Sequence, residues 1–186
     1  MSLFELFGPP NVEKLEAKRN VQGLINVLSY QMRDNVRQAA AEALGGLKDA
    51  RAIEPLIVAA LNDSDRQVRE AAAKALGQIG DPQAVRTLVT VLNDQRSYVG
   101  SFHVRVAAAD ALGKIGDAQA TKALLDVMRC GDNLSLVAAT ALVQIGASAI
   151  GPLLNTLQYP SEDSWKKVEP ILLKIGKFHI SDNSSL

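Results

Sequence analysis

Side chains that could carry metal or nucleophilic chemistry are few and scattered in this sequence. It has two histidines, His103 and His179, and one cysteine, Cys130, in 186 residues. A redox metal needs clustered imidazole and carboxylate ligands, and neither histidine is followed by a glutamate. Cys130 stands beside Arg129 with no clear base nearby, so a packed or partly exposed thiol is the simpler interpretation. We predict no catalytic residue, no metal site and no cofactor.

Two glycine pairs have the spacing of nucleic-acid- or nucleotide-binding loops. Residues 77–80 (Gly-Gln-Ile-Gly) and 113–116 (Gly-Lys-Ile-Gly) share the G-x-x-G spacing of RNA-binding KH loops. Because this spacing recurs at the end of successive sequence copies, helix termination explains it better. The second pair is not a phosphate-binding P-loop either, since the upstream glycine is missing and Ile115 replaces the required Ser or Thr.

The charge balance argues against nucleic acid or an anionic membrane as the partner. Lys and Arg number 20, and Asp and Glu also number 20, so no general attraction to polyanions is expected. We interpret the small basic cluster Lys166, Lys167, Lys174 and Lys177 as a solvated helix face. No stretch approaches the roughly 18 apolar residues of a membrane span, and the chain start lacks the features of a signal peptide. We expect a cytoplasmic protein that binds neither nucleic acid nor membrane.

Any functional side chain must be positioned by a sequence repeat. Residues 36–45, 68–77 and 104–113 are near copies, and 134–143 is a fainter one. Each copy places apolar residues on one face of a 3.6-residue helix, which we name helix B. A second apolar helix, helix A, precedes each copy. A self-similar unit of roughly thirty residues predicts a solenoid in which each unit buries its apolar face against its neighbours.

Helix boundaries are marked by capping residues. Aspartates Asp49, Asp81 and Asp117 are predicted N-caps of the A helices. Glycines suited to the left-handed residue after a helix close the copies at Gly80, Gly116, Gly146 and Gly176. We predict an all-α fold, a right-handed α-solenoid (α-α superhelix) of about five helical hairpins. Residues 1–19 are the expected N-terminal capping segment, 20–176 the solenoid and 177–186 a C-terminal tail.

Two stretches carry the repeat most clearly, residues 52–57 (Ala-Ile-Glu-Pro-Leu-Ile) and 68–81 (Val-Arg-Glu-Ala-Ala-Ala-Lys-Ala-Leu-Gly-Gln-Ile-Gly-Asp). They resemble the HEAT-like repeat of the phycobilisome (PBS) lyase type, and the resemblance extends over about residues 20–176. The family includes phycobilin lyase subunits, deoxyhypusine hydroxylase and stand-alone scaffolds. The resemblance therefore implies about five HEAT-like hairpins without fixing an activity.

The resemblance also implies a structural ladder between repeats. In HEAT repeats the Arg after the first Val of helix B pairs with an Asp of the preceding turn. The matching arginines are Arg37, Arg69 and Arg105, with Asp34 and Asp65 as the expected partners. Ser135 stands at this position in the fourth copy, so the ladder should end there.

The resemblance to two enzyme classes can be weighed on the residues. Deoxyhypusine hydroxylase needs His-Glu pairs on several helices, which this chain lacks, so that activity is excluded. Phycobilin attachment needs a chromophore-holding cleft and a partner subunit, and the family offers no short catalytic motif to carry over. A phycobilin lyase-like role is therefore the enzyme class that stays open.

One position departs from the repeat pattern. Two residues after the start of each copy, the sequence reads Gln38, Glu70, Val106 and Leu136. This position should face the groove lined by the B helices, and an apolar patch there is typical of a partner site. The predicted contact residues are Tyr98, Phe102, His103, Val106 and Leu136, with Glu70, Lys74 and Asp110 as polar rim. Alternatively, the long connection before helix B of the third repeat folds back and covers Val106 and Leu136.

The sequence thus favours a non-catalytic scaffold that binds a protein or peptide along the groove lined by the B helices. The alternative is a phycobilin lyase-type or chromophore-handling subunit that acts with a partner. Nucleic-acid binding is a third and weaker hypothesis. A monomer is compatible with the sequence, which leaves the oligomeric state open.

Overall fold

The computed structural model describes residues 11–30, 33–94, 102–130, 133–155 and 162–182. Every regular element in these ranges is a helix. Successive helices form the hairpins that the repeat predicts, and the predicted all-α solenoid is confirmed. The chain divides into two compact units, Met1–Ala111 and Leu112–Leu186.

The helices follow one another with short connections. In the first unit they are α1 (Val12–Ala17), α2 (Val21–Leu28), α3 (Asp34–Leu47), α4 (Ile53–Asn62), α5 (Arg66–Ile79) and α6 (Val85–Leu92). Helix α7 (Phe102–Ile115) begins in the first unit and ends in the second. The second unit continues with α8 (Ala118–Cys130), α9 (Ser135–Ile145), α10 (Ile150–Asn155) and α11 (Glu162–Asp182). The A helices are α2, α4, α6, α8 and α10, and the B helices are α3, α5, α7, α9 and α11.

The predicted caps set the start of the A helices. The side chain of Asp81 accepts a hydrogen bond from the backbone N–H of Gln83 at 2.8 Å, and Asp49 and Asp117 do the same two residues ahead. Short 3-10 turns at Ala50–Ala52 and Pro82–Ala84 then lead into α4 and α6. Each aspartate satisfies an N–H that the first helical turn leaves unpaired.

The B helices end on a left-handed residue in four consecutive repeats. Gly80, Gly116 and Gly146 have φ of 77°, 69° and 71°. Lys48 occupies this place after α3 with φ 54°, although a side chain disfavours that conformation. Gly176 does not end a helix, because α11 continues through it to Asp182. The predicted helix end at residue 176 is therefore wrong, and the expected tail begins as helix.

The core is built mainly from aliphatic residues, and glycine and alanine lie where neighbouring B helices approach each other closely. A Cβ added to Gly77 on α5 would lie 2.6 Å from the Cα of Ala111 on α7. The equivalent distance is 2.8 Å between Gly45 and Ala75, and 3.0 Å between Gly113 and Ala141. Fully buried leucines fill the space between A and B helices, at Leu24, Leu44, Leu56, Leu76, Leu88, Leu112, Leu124, Leu142 and Leu153.

One described stretch, Ser135–Asn155, is long and apolar enough to cross a membrane by length and composition alone. This corrects the expectation that no such stretch exists. In the structure it is interrupted, because Gly146 begins a 3-10 turn between α9 and α10. Ala138, Leu142 and Leu153 from this stretch are buried in the protein.

The close helix contact predicts different outcomes for two glycines inside B helices. Gly77→Ala should lower the free energy of unfolding by about 2 kcal/mol, because the added methyl forces α5 and α7 apart. Gly46→Ala is the matched control on α3, where the nearest atom to an added Cβ is Glu16 Oε1 at 3.9 Å. It should raise the free energy of unfolding by roughly 0.5–1 kcal/mol. Urea denaturation measures both, and equal effects would contradict the close-contact interpretation.

The left-handed position after α3 predicts a stabilising change. Lys48→Gly should raise the free energy of unfolding by about 1 kcal/mol, since glycine adopts positive φ without the clash of a Cβ. Gly80→Ala, at the same position after α5, should lower it by a similar amount. Thermal and urea unfolding of both variants check the pair, and a neutral Lys48→Gly would refute the strain argument.

Candidate partner-binding surface

The middle of helix α5 is largely buried. In α5 the alanines, leucine and glycine between Ala71 and Gly77 are buried, and Lys74 is the exposed exception. Residues four apart on the helices lie on one face. We define the B-helix strip by sequence position, as the third and seventh residues of each copy: Gln38 and Glu42 on α3, Glu70 and Lys74 on α5, and Val106 and Asp110 on α7 in the first unit, and Leu136 and Thr140 on α9 in the second unit.

The strip is polar and internally paired in the first two repeats. Lys74 Nζ lies 2.6 Å from Glu70 Oε1, and Gln38 Nε2 donates to Glu42 Oε1 at 2.9 Å. Exposed pairs of this kind stabilise a helix by about 0.2–0.5 kcal/mol. The charges of Glu70 and Lys74 are balanced within α5, whereas Glu42 keeps its negative charge because Gln38 is neutral.

The strip has an apolar residue, Val106 or Leu136, at its first position in each of the next two copies. Leu136 is 77% exposed, the highest value among the large hydrophobic residues that the structure describes as exposed. Val106 is half-buried on α7. Exposed leucine side chains are common singly, but this one lies at the position where the first two copies have Gln38 and Glu70. Leu136 thus presents an apolar side chain at a surface position that is polar in the first two copies.

The predicted aromatic residues lie next to the strip only in part. The rings of Phe102 and His103 meet edge to face, with centroids 5.8 Å apart and an interplanar angle of 75°. Phe102 is half-buried and His103 is exposed, on the same helix as Val106. Tyr98 lies outside the described residues. Val106 belongs to the first unit and Leu136 to the second, so their grouping into one site stays a prediction. The alternative, that the long connection before α7 covers Val106 and Leu136, also stays a prediction.

A buried charge network joins the first and second repeats. Arg37 is 5% exposed, and its Nε and Nη2 donate to the two carboxylate oxygens of Asp63 at 2.8 and 2.9 Å. Nη2 also donates to Asp34 Oδ1 at 2.7 Å, and Nη1 donates to the Tyr30 carbonyl at 3.0 Å. A bidentate pair with further hydrogen bonds is the geometry that compensates for burying a charge.

The structure extends and corrects the predicted ladder. Asp34 does contact Arg37. The bidentate partner of Arg37 is Asp63, at the end of the next A helix. We did not predict this pair from the sequence. The carboxylate of Asp65 instead caps α5, accepting from the N–H groups of Gln67 and Val68. Arg69 donates to the backbone carbonyls of Asp63 and Ser64 at 2.7 and 3.0 Å. Asp65 is thus a helix cap and not the ion-pair partner of Arg69.

In α3, α5, α7 and α9, the second residue of the sequence copy donates to a carbonyl near or just past the end of the preceding A helix. Arg105 Nε donates to the Leu92 carbonyl at 2.8 Å, and Ser135 Oγ donates to the Met128 carbonyl at 3.4 Å. Arg37 and Arg69 make the equivalent bonds in the first two repeats. These carbonyls have no partner within their own helix, so the shared role is to close the A helix. Ser135 keeps a weaker form of that role.

Protonation of the buried carboxylate should destabilise the protein. Burial raises the pKa of Asp63, but the hydrogen bonds and charge of Arg37 outweigh this effect and hold the pKa below the usual 3.8. Stability from this pair is therefore present above pH 3.8 and is lost as pH falls through the lowered pKa. Asp63→Asn should lower the free energy of unfolding at neutral pH by about 3 kcal/mol, since the buried Arg37 loses its bidentate carboxylate and keeps only the exposed Asp34 as counter-charge.

Asp34→Asn is the matched control for Asp63→Asn. The Asp34 side chain is 59% exposed, so its loss should change the free energy of unfolding by only about 0.5 kcal/mol. Unfolding should be followed by circular dichroism from neutral to acid pH. The buried pair would not be the dominant interaction if both variants lost the same free energy of unfolding. The same would follow if the stability of Asp63→Asn fell at acid pH as steeply as that of wild type.

Comparison with known proteins agrees with this architecture. The model of the family described as HEAT repeats matches residues 21–101, and that described as PBS lyase HEAT-like repeat matches residues 104–130. No curated protein matches the chain significantly. The second match spans α7 and α8, the helices that begin at Phe102 and Ala118.

Solved structures give further likenesses. The complex of CpcE and CpcF of phycocyanin lyase from Nostoc sp. PCC7120 is similar at 26% identity and a TM-score of 0.61. The alignment covers 84% of this chain and 65% of that chain, so this chain spans just under two thirds of that relative. Human deoxyhypusine hydroxylase in complex with glycerol aligns at 16% identity and a TM-score of 0.42, over 89% of this chain and 88% of that chain. That likeness is too remote to inform function. The chain is a HEAT-like repeat protein of the PBS lyase repeat type.

Proposed function

We propose that this chain is one subunit of a phycobilin lyase-type assembly and that it binds its protein partner through the B-helix strip. The observation that carries the proposal is the likeness to the CpcE–CpcF complex of phycocyanin lyase, at 26% identity over 84% of this chain. That relative works as a complex of two proteins, which supports a protein partner for this chain. The match to the PBS lyase repeat lies on α7, where the strip becomes apolar.

The strip supplies the kind of surface that such an assembly requires. Binding energy between proteins comes mainly from a few desolvated apolar or aromatic side chains, with charges adding orientation. Leu136 and Val106 are the apolar contacts of the strip, and the Glu70–Lys74 pair forms a polar rim. In this proposal His103 and Asp110, on the same face of α7, lie beside the contact. The chain itself contributes binding and positioning and no nucleophile.

A stand-alone protein-binding scaffold is the second candidate function. It is favoured by the exposure of Leu136, which a partner of any kind could cover. The two candidates differ in one observable, the presence of a bilin or phycobiliprotein in the bound state. In either case we propose a cytoplasmic location and no role in binding nucleic acid or membrane.

Leu136→Glu should weaken partner binding at least about tenfold, because it places a charge in the apolar part of the strip. Leu154→Glu is the matched control, since Leu154 is 50% exposed on an A helix of the same unit. Wild type and both variants serve as baits for affinity capture from an extract of the source organism. Mass spectrometry and visible absorption are then read on the eluates.

We expect wild type and Leu154→Glu to recover a second protein together with bilin absorbance, and Leu136→Glu to lose both. A specific partner without any bilin or phycobiliprotein would favour the scaffold over the lyase-type subunit. A partner that all three baits retain equally would place the contact elsewhere than on the strip.

A further inference from the structure

A groove between α1 and α3 combines an apolar floor with an acidic rim. It has a volume of about 550 Å³ and lies within the first unit. Val36, Ala39 and Ala43 of α3 and Val12 of α1 form the apolar part. The polar lining residues are Asn11, Glu13, Glu16, Asn35 and Glu42.

The rim carries one sign of charge. Glu13, Glu16 and Glu42 are exposed, and among the described residues that line the groove there is no Lys or Arg. Glu42 is held in place by the hydrogen bond from Gln38. Carboxylates on both sides of an apolar floor favour an amphipathic element that carries an apolar residue flanked by cations.

Helix α11 presents such a face within the same sequence. Its inner side is formed by Val168, Ile171 and Ile175, which are buried. Its opposite side carries Leu173, which is 57% exposed. Lys166, Lys167 and Lys174 are exposed around it, and Glu169 is an exposed acidic residue on the same helix. A helix rises 1.5 Å per residue, so Lys167 and Lys174 lie about 10 Å apart along one side of the helix.

We propose that the acidic groove of one copy binds the outer face of α11 of a second copy. Leu173 would enter the apolar floor, and the lysines would face Glu13, Glu16 and Glu42. Groove and helix are different surfaces, so the contact is heterologous. A pair of copies therefore leaves one groove and one α11 face unused. Contacts of this type build head-to-tail chains or rings. The inference does not depend on the proposed function, because it concerns copies of this chain alone.

Sedimentation velocity of the purified chain over a range of concentrations tests the proposal. Wild type should associate progressively, and less so at high ionic strength, because the rim charges are exposed and screened. Glu13→Lys/Glu16→Lys should weaken association at least about tenfold, and Lys167→Glu/Lys174→Glu should do the same, since each brings like charges together. The substituted side chains are exposed, and circular dichroism verifies that each variant is folded.

A mixture separates the proposed pairing from a general effect of charge. Each double variant alone should be monomeric, whereas a mixture of the two should associate, because one contributes an intact groove and the other an intact α11 face. The single changes Glu54→Lys on α4 and Lys122→Glu on α8 alter exposed charges elsewhere and should leave association unchanged.

Three results would overturn the proposal. Wild type that stays monomeric at every concentration shows that the groove does not take a second copy. If Glu13→Lys/Glu16→Lys loses association while Lys167→Glu/Lys174→Glu behaves as wild type, the groove binds a segment other than α11. Association that none of the substitutions weakens lies on another surface.

Discussion

The close approach of neighbouring B helices is the constraint on which the rest of the structure depends. Three glycine–alanine contacts, Gly45 with Ala75, Gly77 with Ala111 and Gly113 with Ala141, leave no room for an additional methyl group. Such contacts fix the axial register of one helix on the next, since a glycine must stay opposite an alanine. Residues at the contact between two B helices must therefore be small. This requirement is consistent with a chain that has only 4% aromatic residues.

Close helices create a second requirement at their ends. The carbonyls at the end of the A helices lie beside the next helix B. The second residue of each sequence copy supplies a donor to them, as Arg37, Arg69, Arg105 or Ser135. Arg37 reaches farther than the others and pairs with Asp63, so one buried guanidinium satisfies the Tyr30 carbonyl and the Asp34 carboxylate in its own repeat and the Asp63 carboxylate in the next. Asp63 in turn accepts from the N–H of Asp65 at 2.9 Å, which shapes the turn into α5.

The sequence predicted most of the fold because periodicity and caps act locally. The hairpin order, the aspartate N-caps and the glycines after three B helices all follow from residues within one turn of the feature. Gly176 misled the prediction because the apolar pattern continues past it, and the pattern decides whether a helix ends. Asp63 was missed because its partner is 26 residues away, although the run Leu-Asn-Asp at 61–63 and again at 92–94 was a usable signal. For the candidate site, the sequence predicted only which helix positions face the groove. It could not position the long connection with Tyr98, because no other copy contains an equivalent segment.

Positions that are the same in all copies hold residues needed for packing. Residues that give this chain its particular function must therefore lie where the copies differ. In the B-helix strip, the polar residues Gln38 and Glu70 of the first two copies are replaced by Val106 and Leu136 in the next two. The Glu70–Lys74 pair is already satisfied within α5, so a partner gains little by contacting it and loses little by displacing water around it. Burying a side chain as exposed as Leu136 contributes up to about 2 kcal/mol. Under the proposed function, the copies with Val106 and Leu136 would supply most of the binding energy, and the polar copies would orient the partner.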